Sequence, residues 1–185
     1  YKHQMRIDGV MEPIDLVASM TVNDSDILVD FEGSSKMSQL SINVPMAYTA
    51  AYTAFGVRCI VGPDVPNNTG SLETIKVTAP EGSILNAPFP AAVSLRHIVG
   101  QMLPDTVFGC LHQILPDRVP AEGTSALWNI ILGGQWANGE AYSVMSFHSG
   151  GAGARPISDG LSATAFPSGV GNMPIEVTET ISPIV

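Results

Sequence analysis

The sequence predicts an α+β fold in which antiparallel β-hairpins pack around a few central helices, followed by a glycine-rich C-terminal segment. Residues 14–31 and 127–147 each contain two apolar or β-branched runs on either side of a turn-forming stretch, which is typical of a hairpin. Residues 43–60 and 91–115 are apolar stretches of helical character. Because the strands form local pairs and do not alternate strictly with helices, a mixed α+β architecture is expected.

The first half of the chain is expected to begin with a hairpin. Its strands are residues 14–22 and 26–31, joined by the turn at 23–25. A helix is predicted from 43 to about 60, with Asn43 as its N-cap and Pro45 in its first turn, where proline costs no hydrogen bond. The stretch at 66–70 predicts a tight loop, and the alternating residues 75–79 predict a short strand.

The second half is expected to begin with two helices, residues 91–103 and 106–115, with Asp105 as the N-cap of the later one. A second hairpin follows, with strands 127–132 and 142–147. The chain is then rich in glycine as far as 171, and only residues 175–177 have a regular pattern. If these form a strand, Glu176 and Glu179 point to opposite sides of it.

Composition excludes several classes of protein. The 185 residues are 45% hydrophobic, which suits a single domain-sized unit or two small ones sharing a core. The net charge of -9, with 8 scattered basic residues, argues against a nucleic-acid partner. The sequence contains no apolar run long enough for a membrane span and no signal-peptide core, so a soluble cytoplasmic protein is expected. Cys59 and Cys110 lie in apolar helical stretches and are expected to be free thiols.

The glycine-rich stretch 150–156, followed by Asp159 and Gly160, is the most unusual feature of the sequence. Glycines such as Gly151 and Gly153 allow backbone amides to approach a ligand closely, which invites interpretation as a phosphate-binding loop. However, the stretch lacks the Gly-Lys-Ser/Thr ending of such loops, and no helical pattern follows it. On spacing alone, a buried turn is the favoured interpretation.

Five polar residues near this stretch are candidates for chemistry. Arg155 has the bidentate donor geometry for a carboxylate or phosphate, although pairing with Asp159 is slightly favoured. His148 ends a strand just before the glycines, where a side chain can point into a cleft. Asn172 and Glu176 follow, and Glu176 is a possible partner for Arg155. The sequence has no metal-binding motif, so no metal ligand is assigned.

Several segments in a fixed order resemble the hydantoinase B and oxoprolinase family. The resemblance spans nearly the whole chain. It is carried by DFEGSS at 30–35, NNTGS at 67–71, APEGSILN at 79–86, PAAV at 90–93, LPDRVPA at 115–121, GGAGAR at 150–155, DG at 159–160 and NMPIEVTE at 172–179.

The resemblance implies an internal segment of a B-type subunit that works in a hetero-oligomer with a hydantoinase A-type subunit. In such enzymes the partner uses ATP and Mg to activate a carbonyl oxygen, and the B-type subunit directs the following attack. Any divalent metal of the B-type subunit is expected upstream of the region matched here. The implied function is hydrolysis of a small cyclic amide or imide, as in N-methylhydantoinase or 5-oxoprolinase. His148, Arg155 and Asp159 are the catalytic candidates. The candidate substrate-binding residues are Gly151, Gly153, Asn172 and Glu176.

Two alternatives remain open at this stage. The first is a subunit of an ATP-dependent ketone carboxylase acting on acetone or acetophenone, since that reaction also begins with ATP-dependent activation of a carbonyl oxygen. The other alternative, from a different class, is a structural or interaction segment without catalytic groups, which the low charge and the missing metal cluster favour. Exposed apolar surface would indicate a missing partner.

Overall fold

The computed structural model describes residues 1–170 and 174–181, and its fold is α+β, as the sequence predicts. The chain forms two compact units. The first comprises residues 1–120 and 155–157, and the second comprises residues 121–154 together with the described residues from 158 onward. No helix in the described part of the chain is long and apolar enough to cross a membrane.

The first unit contains a four-stranded sheet in the order β1-β2-β3-β4. Its strands are β1 (Lys2–Ile7), β2 (Ile14–Val22), β3 (Ile27–Asp30) and β4 (Ile75–Thr78). The β2–β3 hairpin is therefore confirmed, and so is the short strand at β4. In β2, alternate residues from Ile14 to Met20 are buried, because one face of the strand packs on the core.

The sheet differs from the predicted hairpins in two respects. Strand β1, which was not predicted, pairs antiparallel with β2, and β4 pairs parallel with β3. Each feature depends on the strand that lies beside it in the folded chain, which the local sequence pattern does not show. The inward residues of β1 include His3, which weakens its apolar alternation, and the β3–β4 pairing joins segments that are distant in sequence.

The serines of the DFEGSS segment extend the hydrogen bonding of β2 beyond the end of β3. The Ser34 hydroxyl accepts a hydrogen bond from the Val17 N–H at 3.0 Å and donates to the Val17 carbonyl at 3.2 Å. The Ser35 hydroxyl accepts from the Asp15 N–H at 2.9 Å. These two hydroxyls therefore satisfy backbone groups of a strand edge, which is a structural role.

The helices of the first unit are α1 (Met46–Val61), α2 (Thr69–Glu73), α3 (His97–Gly100) and α4 (Leu103–Leu111). Helix α1 packs on α4, and α4 packs on β1 and β2. Large side chains fill the core between these layers. The most deeply buried include Leu16, Met20, Val29, Phe31, Val57, Leu103, Val107 and Leu111.

Two predicted helix caps and one predicted loop were wrong in detail. Asn43 is not the N-cap of α1, because its buried side chain bonds to backbone groups of neighbouring loops and Pro45 precedes the first turn. Asp105 is likewise not a cap, since α4 begins at Leu103 and buries Asp105 in its first turn. The predicted loop at 66–70 contains the start of α2. Asn68 and Ser71 cap this helix N-terminus, because the side chain of each accepts a hydrogen bond from the backbone N–H of the other.

The second unit contains the predicted second hairpin, formed by β5 (Trp128–Gln135) and β6 (Ala141–His148) in antiparallel register. It also contains a short pair, β7 (Gly151–Ala152) with β8 (Leu161–Ser162), and helix α5 (Ile175–Ile181). Residues 175–177, whose regular pattern left a strand open, are helical. Pro174 precedes them, and proline is well suited to the start of a helix.

Candidate functional site

The glycine-rich segment is packed closely between two other backbone segments of the second unit. The Thr124 N–H donates to the Gly151 carbonyl at 3.2 Å, and the Ala121 N–H donates to the Ala154 carbonyl at 2.8 Å. A Cβ on Gly153 would lie 1.9 Å from the Ala121 carbonyl oxygen. The close backbone packing explains why these positions are glycine, and it supports the buried turn over the phosphate-binding loop.

Backbone strain is concentrated beside this segment. Ser125 and Ala163 have φ values of 50° and 52°, and both are non-glycine residues in the left-handed region. Ala163 donates its N–H to the Gly150 carbonyl at 3.2 Å, and Ser125 follows Thr124, which bonds to Gly151. Strained residues of this kind persist where the surroundings force them, and they cluster at functional sites. The segment around Gly150 and Gly151 is therefore the candidate site of the second unit.

Two buried serine hydroxyls adjoin these segments, one directly after Thr124 and the other directly before Gly150. The Oγ atoms of Ser125 and Ser149 are shielded from solvent, and neither has a hydrogen-bond partner within residues 1–170 and 174–181. Ser125 is only 4% exposed. An unsatisfied buried hydroxyl costs about 1–3 kcal/mol, so each is available to bond a polar ligand or water. Neither serine was singled out from the sequence, which offers no signal for burial of this kind.

His148 lies at the end of β6, as predicted, and its side chain is exposed. Its Nε2 atom is 3.0 Å from the Ser146 Oγ, two residues earlier on the same face of the strand. A histidine beside a hydroxyl can accept its proton when the imidazole is neutral, which is the geometry of a general base. The contact is solvent-exposed, and it gives the Nε2 atom a partner without a ligand.

Arg155 and Asp159 are both exposed and belong to different compact units. The Arg155–Asp159 pairing therefore stays a prediction.

The two remaining candidates lie in and before α5. Asn172 is outside the described residues. Glu176 is exposed in the first turn of α5, and Glu179, three residues later, lies on the same face of the helix. The expectation that they face opposite sides was therefore wrong, because it assumed a strand. The exposure of Glu176 also argues against its role as a buried partner for Arg155.

Within the described part of the chain, no group of three or more His, Cys, Asp or Glu side chains is arranged to hold a metal ion. Cys59 and Cys110 are both free, as predicted, and burial raises the pKa of each thiol.

Two solved structures share this fold. The ATP-dependent caprolactamase from Pseudomonas jessenii superposes with a TM-score of 0.72 over 88% of the chain at 24% identity, and the match covers 29% of that enzyme's chain. Acetone carboxylase superposes with a TM-score of 0.74 over 97% of the chain at 19% identity, covering 27% of its chain.

Proteins with similar sequences include a hydantoinase subunit. A Pseudomonas protein named as the B-type subunit of a D-/L-hydantoinase is 29% identical over 185 residues, which is 96% of this chain and 31% of that protein. The chain thus spans less than a third of the length of these relatives. The family model described as Hydantoinase B/oxoprolinase matches residues 1–185. The chain therefore belongs to the hydantoinase B/oxoprolinase family.

Proposed function

We propose that this chain is part of the B-type subunit of an ATP-dependent enzyme that opens small cyclic amides or imides, such as hydantoin, N-methylhydantoin or 5-oxoproline. The observation that carries the proposal is the family match over the entire sequence. The Pseudomonas relative named as a hydantoinase and the structural likeness to an ATP-dependent caprolactamase support it. Both of those proteins are more than three times as long as the matched region, so the activity belongs to the larger subunit.

The proposed chemistry divides the work between two subunits. The A-type partner binds ATP with Mg and transfers a phosphoryl group to the ring carbonyl oxygen, which makes the carbonyl carbon more electrophilic. The B-type subunit directs water to that carbon, and the C–N bond of the ring breaks as the nitrogen takes up a proton. A second water then hydrolyses the resulting acyl phosphate to the free acid and phosphate. Such an attack depends on hydrogen-bond donors aimed at the developing charge and on a group that accepts the proton of water.

The described residues include groups that can donate hydrogen bonds to the developing charge or accept a proton from water. The Ser125 and Ser149 hydroxyls have unused hydrogen-bonding capacity in a strained, close-packed region. His148 has an imidazole that can take a proton. We propose that these groups, with the backbone at Gly151 and Gly153, help to form a substrate site. Arg155, Asp159, Asn172 and Glu176 are proposed as further binding groups, with Arg155 for an anionic oxygen.

The apolar surface of the β5–β6 hairpin supports the presence of a partner subunit. The β5–β6 hairpin carries apolar side chains on both faces, and neither strand contains a charged residue. Trp128 and Ile131 are 66% and 62% exposed and, as the register shows, lie on opposite faces. A strand that is apolar on both sides is typical of a sheet covered on both faces. We propose that a B-type neighbour or the A-type subunit covers this hairpin in a cytoplasmic hetero-oligomer.

The function is tested by product analysis of the full-length subunit with its A-type partner, ATP and a divalent metal. Parallel reactions contain hydantoin, N-methylhydantoin, 5-oxoproline, or acetone with bicarbonate. The proposal predicts a ring-opened acid from one of the cyclic amides. A carboxylated ketone would instead establish the carboxylase alternative, which the likeness to acetone carboxylase keeps in consideration. ATP-independent assembly without any product from the panel would favour a structural segment.

The role of Arg155 is tested separately in the same complex. Substitution Arg155→Ala is expected to lower kcat/KM by about tenfold to a hundredfold, because a charge-assisted bidentate bond contributes about 1.5–3 kcal/mol. Arg118→Ala is the matched control, since Arg118 is also exposed. If Arg155→Ala leaves both assembly and turnover unchanged, Arg155 is not part of the site.

A further inference from the structure

The first unit contains an open groove that the proposed function does not use. The outer face of α1, the loop at 62–67, α2 and β4 enclose a volume of about 580 Å³. Its walls are mainly apolar and include Ala54, Phe55, Leu72 and Ile75. Small-molecule sites are typically concave, apolar and of this size, with few polar groups that fix the orientation of the ligand.

Arg58 is the one charged residue among those that line the groove. A guanidinium Nη2 donates to the Val65 carbonyl, which fixes the side chain in place. The Nε atom is buried and has no hydrogen-bond partner within the described residues. In that same part of the chain Arg58 has no ion-pair partner, since the two ion pairs are Arg6 with Asp15 and Lys76 with Asp26. The guanidinium therefore brings a positive charge without an ion-pair partner in the described residues to an apolar surface.

The residues that line the groove restrict the class of ligand that can bind there. A partly buried cation without an anion is unfavourable unless a ligand or partner supplies one. A carboxylate matches the donor geometry of a guanidinium, and an apolar body matches the alanine, leucine and phenylalanine side chains. Asn67 on the groove wall adds a neutral amide, and no acidic side chain is among the lining residues to repel an anion.

We propose that this groove is a binding site for a small organic carboxylate with an apolar body, whose carboxylate pairs with Arg58. The inference concerns residues 50–75 of the first unit and does not rest on the proposed ring-opening activity. Its occupant is recognised by one charge and by apolar contact, so a straight-chain fatty carboxylate of intermediate length is a suitable probe.

Cys59 provides a reporter inside the groove, and Cys110 provides an internal control. Cys59 lines the groove and is partly exposed, whereas Cys110 is fully buried in α4. The rate of Cys59 alkylation by iodoacetamide is measured by mass spectrometry on the 185-residue chain with increasing hexanoate. Protection of roughly fivefold is expected when hexanoate is at about four times its dissociation constant. Hexanamide, which has the same body without the charge, should protect much less.

Variants separate recognition of the carboxylate from other causes. Arg58→Gln should abolish protection by hexanoate, Arg58→Lys should retain part of it, and the exposed control Arg118→Gln should retain all of it. Slow alkylation of Cys110 in each variant shows that the fold is intact. Equal protection by hexanamide, or protection that survives in Arg58→Gln, would overturn the proposal. So would an absence of protection by hexanoate, or protection that depends only on protein concentration, which would indicate a second copy of the chain in the groove.

Discussion

At the scale of single residues, Asn43 shows how a polar side chain can organise loops. It is 1% exposed, and its amide accepts a hydrogen bond from the Ser38 N–H and donates to the carbonyls of Ser38, Leu40 and Ala92. Every polar atom of the side chain is thus used. The bond to Ala92 links segments that are 49 residues apart, which fixes the loop before α1 against a distant part of the chain.

Substitution Asn43→Ala is expected to lower the free energy of unfolding by about 3 kcal/mol, because it leaves several buried backbone groups without partners. Urea denaturation measures the difference. Asn23→Ala, in the exposed β2–β3 turn, is the matched control and should change stability by less than about 0.5 kcal/mol. Similar losses in both variants would contradict this role for Asn43.

The ion pair between Arg6 and Asp15 gives the protein a predictable response to acid. The Arg6 Nε is 2.7 Å from an Asp15 carboxylate oxygen, and this hydrogen bond lowers the pKa of Asp15. A carboxyl group with a lowered pKa in the folded state contributes stability above its unfolded pKa of about 4, and that contribution is lost as pH falls through the folded pKa.

The stability difference between the wild-type chain and Arg6→Gln should therefore be constant above about pH 5 and shrink as the pH falls below about 4. Urea denaturation at a series of pH values measures it. Lys2→Gln, on the same strand, provides the control. A difference that persists unchanged at about pH 2, below the usual carboxyl range, would show that the pair does not cause the effect.

At the scale of elements, the contact between α1 and α4 depends on a glycine. A Cβ on Gly56 would lie 2.8 Å from the Pro104 Cα and 2.8 Å from a methyl carbon of Val107. The backbone at Pro104 cannot move aside as a flexible side chain could. The glycine therefore permits the close approach of two helices that form the centre of the first unit.

Gly56→Ala sets two effects against each other. Alanine favours a helix by about 1 kcal/mol relative to glycine, but overpacking of a core costs about 1–3 kcal/mol. Since the clash is with backbone, we expect a net loss of about 1–2 kcal/mol in denaturation experiments. Gly70→Ala in α2 is the control, because its nearest contact is an Asn68 side-chain oxygen at 3.4 Å. A stabilised Gly56→Ala variant would contradict this packing argument.

Element prediction from the sequence succeeded where the deciding forces are local. The β2–β3 and β5–β6 hairpins follow from apolar runs around turn residues, and both are present. Prediction failed where an element forms only because a segment distant in sequence pairs with it. Strand β1 needs β2 beside it, and the parallel β3–β4 pair needs two segments brought together by the intervening helices. The sequence did not decide the type of α5, because its short β-branched pattern fits both a strand and a helix.

At the scale of the whole molecule, the order of sequence motifs indicated the family, and the match over residues 1–185 confirms it. The candidate site was harder to predict. The glycines were visible in the sequence, but their cause, which is backbone packing against residues 121–124, depends on contacts made in the folded chain. Ser125 and Ser149 were missed for the same reason, because burial without a partner is a property of the folded chain.

We propose that this chain belongs to a larger subunit that takes part in ATP-dependent ring opening. The most direct test measures the phosphate released from ATP and the acid formed from a cyclic amide by the full-length subunit with its A-type partner. We expect ring-opened acid to form only when both subunits and ATP are present, with phosphate release that rises in proportion. Ring opening that is unaffected by omission of the B-type subunit, or by omission of ATP, would contradict the account.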